Sequence, residues 1–287
     1  MKHLVTIFFV FLLVKNINAQ QVPTEKTLLW KISGKEIKQP SYIYGTFHLL
    51  CANDFLLPDT LIALLHKTKQ VYFELKLDDP TLNIKMMQSI MMKDGHDIKE
   101  YISKENYDSV AAIFLHKTKL PLTAVSKYKP FILSSLLYPA MLGCTPVSCE
   151  TEIMKIAKKD SLPINGLETV DFQLKVFDDI PYNIQSKMLE KNLLNFDKSV
   201  NELKELVNVY KTKDITKMQK EVADEPEFGK YEDVLLKKRN ANWVPIITKQ
   251  IKDASTFFAV GAGHLGGKNG VLNLLQEAGY TVTPILY

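Results

Sequence analysis

Ser41-Tyr42-Ile43-Tyr44-Gly45-Thr46-Phe47-His48 near one end of the chain and Thr256-Phe257-Phe258-Ala259-Val260-Gly261-Ala262-Gly263-His264 near the other follow one pattern. Each is an apolar run of β-forming residues that breaks at a glycine and delivers a histidine three positions later. Each is followed by a leucine-rich stretch of helical period and then a second strand-like run. A strand–helix–strand unit at both ends predicts an α/β chain, α+β-like in its order of elements. Its central mixed sheet is built from two related halves. Two strands that each end on an imidazole predict the two halves of one active site, and the chain has only six histidines.

Between the two motifs the periodicity changes. Strands are expected at 27–32, 41–44, 70–77, 162–165, 256–260 and 280–286, from alternation or short apolar runs bounded by turn residues. Helices are expected at 59–69, 83–92, 104–115, 130–141, 150–159, 170–177, 184–210, 215–222, 231–243 and 270–278, with Pro245 breaking or starting an element. The stretch from about 83 to 231 is therefore a large helical insertion that covers the sheet and walls a cleft. Met86, Met87, Met91 and Met92 recur near one turn's spacing, which reads first as packing and second as a soft ligand groove. No linker or low-complexity tract divides the chain, so 20–287 is read as a single domain.

The first nineteen residues read as a cleaved signal peptide: a basic start at Lys2 and His3, an apolar core from Leu4 to Val14, and a small-residue end at Asn18-Ala19. That core is shorter than the ~20 apolar residues that span a bilayer, and no membrane span is expected after cleavage. The implied location is exported, periplasmic or secreted. Net charge is +4, and Lys2 and Lys15 leave with the signal, so the mature chain is closer to neutral. Such a balance argues against nucleic acid as a partner and leaves a peptide or small-molecule substrate. An exported chain forms disulfides. Cys144 and Cys149 flank the turn-prone Thr145-Pro146-Val147-Ser148 and are candidates for a local bridge. Cys51 is then free three residues after His48, where a Cys–His nucleophile has to be weighed against burial as a small hydrophobe.

His48, His264, Glu74 and Glu168 all fall at or near expected strand ends, where ligands of open α/β sheets gather. Two imidazoles and a carboxylate suit a divalent ion with an open position for water, which the ion acidifies. Glu74 or Glu168 is the candidate proton acceptor, and Arg239, the only arginine, the candidate support for an oxyanion or a substrate carboxylate. A metal-free version uses the same residues, with a carboxylate-held histidine deprotonating water. Each has a plainer reading: Glu74 on a solvent face, Glu168 capping the helix that follows it, Arg239 in a structural ion pair. Neither His-Glu-x-x-His nor Gly-x-Ser-x-Gly occurs.

Taken together, Gly45-Thr46-Phe47-His48, Glu74, Gly166-Leu167-Glu168-Thr169 with Gln173, Arg239-Asn240 with Trp243, and Gly261-Ala262-Gly263-His264-Leu265-Gly266-Gly267 resemble the TraB/GumN family over essentially the whole mature chain. That family includes the TIKI metal-dependent proteases and factors that damp peptide-pheromone signalling. The resemblance implies paired Gly-x-x-His histidines at His48 and His264 with Glu74 as acidic partner, and a Zn, Mn or Co ion among them. Glu168 and Arg239 match further family positions. The expected function is an exported metal-dependent hydrolase, peptidase-like. The alternatives are a peptide- or haem-binding protein without turnover and a metal-free, esterase-like hydrolase.

Overall fold

A computed structural model describes residues 21–34, 37–224, 226 and 229–287; the expected signal peptide lies outside the described residues. Eight strands form in chain order: β1 Leu29–Ser33, β2 Ser41–Thr46, β3 Leu50–Cys51, β4 Gln70–Phe73, β5 Pro146–Val147, β6 Ile164–Gly166, β7 Thr256–Gly261 and β8 Thr281–Pro284. Six make one sheet in the order β6-β4-β7-β2-β1-β8. β6, β4, β7 and β2 run parallel, while β1 is antiparallel to both β2 and β8. The mixed α/β sheet expected from the two motifs is thus present.

β2 and β7 are neighbours, in register from Tyr42↔Phe257 to Thr46↔Gly261. β2 is buried along its whole length and β7 along all but its last residue. Burial on both faces explains why these runs carry consecutive apolar and aromatic residues rather than an alternation. Their outgoing connections diverge: the chain leaving β2 passes through the Asp59–Leu65 helix to β4, beyond β7, and the chain leaving β7 passes through the Val271–Glu277 helix to β8, beyond β1. Divergent connections from adjacent carboxyl ends open a crevice there. Leu29, Ile43, Phe257, Phe258, Trp243 and Ile247 anchor the core around the sheet. Each such fully buried side chain contributes about 1.5–3 kcal/mol. A second cluster, built on Val110, Phe114, Leu133, Leu137, Leu189 and Leu193, holds the helical region together.

Several expected boundaries move. The segment 83–231 is mostly helical but returns to the main sheet once, at β6. The single helix expected at 130–141 is two, Pro130–Ser135 with Tyr138–Leu142, and the long helical region expected at 184–210 consists of Tyr182–Leu194 and Phe196–Lys211. Pro245 neither ends nor starts a helix; it lies inside Lys238–Asp253. Trp243, Ile247 and Ile251 are at most 1 % exposed, so this face's burial outweighs the roughly 3 kcal/mol that an interior proline costs. The methionine-rich Leu82–Ser89 helix buries none of its residues.

The cysteines pair differently from the local bridge envisaged between Cys144 and Cys149. β3 and β5 form a two-residue antiparallel ladder, which brings Cys51 to Cys144 with Cα atoms 5.7 Å apart, and these two form the disulfide. Cys149 is the free, buried thiol. Cys51 is therefore no nucleophile partner for His48.

Candidate active site

The paired strands β2 and β7 deliver both histidine loops to one end of the sheet. The glycines serve this by their lack of a side chain, since neither Gly45 nor Gly261 has positive φ. A Cβ on Gly45 would stand 2.9 Å from Leu265 Cδ1 and 3.1 Å from Ala262 Cα, so only glycine lets the second loop lie on β2. At Gly261 a Cβ would come within 3.3 Å of Glu74 Oε1. Instead the Gly261 N–H donates to that oxygen at 2.9 Å. Glu74 itself is not inside a strand as the sequence suggested; β4 ends at Phe73, and Glu74 is the first residue beyond it.

Arg239 stands at the centre. It follows a π-helical turn, Asp233–Lys237, a feature that tends to mark functional sites. Nη2 donates to Glu74 Oε2 at 2.6 Å and to Glu168 Oε1 at 2.5 Å, and Nε donates to Glu168 Oε2 at 3.2 Å. Nη1 donates to the Leu235 carbonyl and to His264 Nε2, both at 3.2 Å. These contacts use every guanidinium N–H. Arg239 therefore has no free donor for the substrate carboxylate or oxyanion envisaged from the sequence, and its role in this arrangement is to position Glu74 and His264. Glu168 does not reach the cavity: it holds Arg239 from behind and accepts from Trp243 Nε1 at 3.1 Å. Nor does it cap the next helix, where the Thr169 side chain accepts from Phe172 N–H. Gln173 ties the two carboxylates together, donating to Glu168 Oε1 at 2.9 Å and Glu74 Oε2 at 3.2 Å.

The protonation states follow from these contacts. Asn240 donates through Nδ2 to the Asn269 carbonyl, so its Oδ1 is the acceptor for His264 Nδ1–H at 2.6 Å. His264 is then the neutral tautomer with its Nε2 lone pair toward Arg239. Burial, reinforced by the Arg239 charge, pushes its pKa down to about 3. Its 3.9 Å separation from Glu74 Oε1 is thus not an ion pair. Burial works against ionisation of Glu74, but the Arg239 charge prevails and holds it down to about 2.

His48 lies on the other side of the site with its side chain 72 % exposed. Its Nδ1 lies 2.8 Å from Glu150 Oε1. Glu150 is fixed in turn by the Thr46 hydroxyl at 2.7 Å and the Ser148 hydroxyl at 3.1 Å. Desolvation opposes the charged ring, yet the hydrogen bond and charge of Glu150 raise His48 to about 9. Nε2 has no protein partner among the described residues. Nothing in the sequence marks Glu150, which reaches His48 because β5 pairs with β3.

His48, Glu74, Arg239 and His264 all line one cavity of about 490 Å³, whose other walls are largely apolar. The donors do not fit a metal ion as they stand. His264 Nε2 is taken by a guanidinium, Glu74 carries three hydrogen bonds, and among the described residues no three His, Cys, Asp or Glu side chains are grouped to hold an ion. Among the described residues no helix is long and apolar enough to cross a membrane. Comparison with curated proteins and with solved structures finds no match. The sequence model of the TraB/PrgY/gumN family matches residues 28–284, nearly the whole chain, and the protein belongs to that family.

Proposed function

We propose that the protein is an exported hydrolase of neutral carboxyl derivatives, an ester or amide, with His48 and Glu150 activating water. The single observation that carries this reading is the His48–Glu150 pair, whose imidazole lines the polar end of the cavity: a base held by a carboxylate from behind, its second nitrogen uncommitted. In the proposed reaction the water oxygen bonds to the carbonyl carbon while its proton passes to His48 Nε2. The bond to the leaving oxygen or nitrogen then breaks, and that atom takes the proton from His48. The products are a carboxylic acid and an alcohol or amine. Glu150 holds the ring orientation and stabilises the imidazolium between the two transfers. Glu74, Arg239 and neutral His264 line the same pole as a fixed, hydrogen-bonded group. The Cys51–Cys144 disulfide supports an oxidising compartment and hence export.

A divalent ion is the second reading, favoured by one observation. Both imidazoles have Nδ1 tied to a fixed protein oxygen, as metal-binding histidines do. An ion on His264 Nε2 would have to displace Arg239. The test of the primary reading is a screen of ester and amide substrates with the purified chain. Replacing His48 with Gln is expected to lower the rate by ~10²–10⁴-fold. A His48→Gln variant as active as the parent would overturn it.

A further inference from the structure

The cavity has two unlike ends. Its charged lining residues, Glu74, Arg239 and His48, sit with neutral His264 at the strand-end pole. There Arg239 is matched by Glu74 and Glu168, and His48 by Glu150, so no cation is left over for an anionic group. The far wall comes from the helices and is apolar, with Met141 and Met188 among its residues. Unbranched methionine side chains adapt to flexible apolar ligands.

The few polar groups of that wall are mostly committed. Gln185 accepts from Phe131 N–H and donates to the carbonyls of Phe177 and Ile180. The Ser135 hydroxyl donates to the Ile132 carbonyl. Asn192 Oδ1 accepts from Ser199. Ser134, the Tyr138 hydroxyl and the Asn192 amide nitrogen are what remain among the described lining residues, too few to pair an extended backbone. A bound peptide would need a partner for each of its own N–H and C=O groups, and this wall cannot supply them. An acyl chain needs none.

Resting on the hydrolase reading, we infer that the substrate is an uncharged acyl ester or amide whose long apolar chain fills the helical end of the cavity. Its carbonyl then lies at the His48 pole. The test is calorimetric titration of the full chain with hexanamide, decanamide, decanoate and an N-acetylated, C-amidated apolar pentapeptide. Affinity is expected to rise ~4-fold per methylene from hexanamide to decanamide, and decanoate to bind at least ~10-fold more weakly than decanamide because its carboxylate meets no free cation. Met188→Glu, which puts a carboxylate in the apolar wall, is expected to abolish the chain-length gain, whereas Met188→Leu keeps it. The series on the unaltered protein stands alone if Met188→Glu fails to fold. Equal affinity for the two amides, tighter binding of decanoate, or tighter binding of the pentapeptide would each overturn the inference. Chain-length-dependent binding without turnover of any nitrophenyl ester would support the ligand class and count against hydrolysis. Turnover of the acetate and decanoate esters at equal kcat/KM would do the reverse.

Discussion

Arg239 and His264 meet nitrogen to nitrogen, Nη1 standing 3.2 Å from Nε2 in a buried site. A guanidinium only donates, so the imidazole must accept and must be neutral. His264 has a folded pKa of about 3, below the 6.5 of a free histidine. Its neutral form is fully compatible with the fold above pH 6.5, and the associated stability is lost as pH falls from there toward 3. The melting temperature is expected to drop between pH 7 and pH 5, and to drop less in His264→Gln. Calorimetric scans of both proteins at the two pH values check this; an equal drop would count against a buried neutral His264.

Arg239 neutralises two carboxylates that are themselves nearly buried, Glu74 and Glu168. Its removal leaves both uncompensated. Arg239→Ala is expected to cost about 3–5 kcal/mol in urea unfolding. Adding Glu168→Gln is expected to recover part of the loss, because it removes one stranded charge. Arg239→Lys loses the forked geometry and is expected to fall between the parent and Arg239→Ala. Additive single losses in the double variant would mean that the pair is not coupled.

What the sequence disclosed and what it hid have physical reasons. The two glycine–histidine motifs were legible because strands buried on both faces carry consecutive apolar and aromatic residues, and β2 and β7 are such strands. That Glu74 and Arg239 belong with His264 followed from strand ends and family resemblance. Glu150 was hidden: its link to His48 depends on the two-residue β3–β5 ladder, too short to leave a periodic signal. The same ladder joins Cys51 to Cys144 across 93 residues, where chain proximity favoured Cys149 instead. Pro245 misled because propensity is local, whereas the Trp243–Ile247–Ile251 face that keeps its helix intact is set by tertiary burial. The sequence shows that each run breaks at a glycine, and close approach of Leu265, Ala262 and Glu74 is what requires glycine there.

His48 carries the pH dependence of the proposed reaction. With a pKa raised to about 9 beside Glu150, its basic form is the minor one at neutrality, so kcat/KM is expected to rise with pH through a midpoint near 9 and level off only above it. Glu150→Gln removes the anion that raises it. The rising limb is then expected to move more than two units toward acid, to the ordinary histidine value or below it. The plateau is expected to fall ~10²-fold with the loss of ring orientation. A pH–rate profile of the variant that keeps the parent's midpoint would exclude this pairing from the mechanism.

The Cys51–Cys144 bridge closes a long loop that contains the first part of the helical region. In the chain-entropy account a loop of that size stabilises by about 4–5 kcal/mol. Reduction, or Cys144→Ser, is expected to lower the urea midpoint accordingly. Mass mapping after alkylation of the unfolded, unreduced protein should find only Cys149 modified. Modification of Cys51 instead would restore the local Cys144–Cys149 pairing.

Chelation separates the two hydrolytic readings. In the arrangement described, positive charge at His264 Nε2 is already supplied by Arg239, and Glu74 is engaged on both oxygens. An added divalent ion would compete with a guanidinium held by two carboxylates. The proposed His48–Glu150 route therefore predicts that a strong chelator leaves turnover within about 2-fold of its starting value, and that added zinc or manganese restores nothing because nothing was lost. If an ion is needed instead, chelation abolishes turnover and the ion restores it. Arg239→Ala, by freeing His264 Nε2 and Glu74, is then expected to tighten ion binding in a direct titration. In the metal-free route the same variant loses stability and activity with no gain in ion affinity. The titration thus distinguishes the readings even where activity is too low to measure.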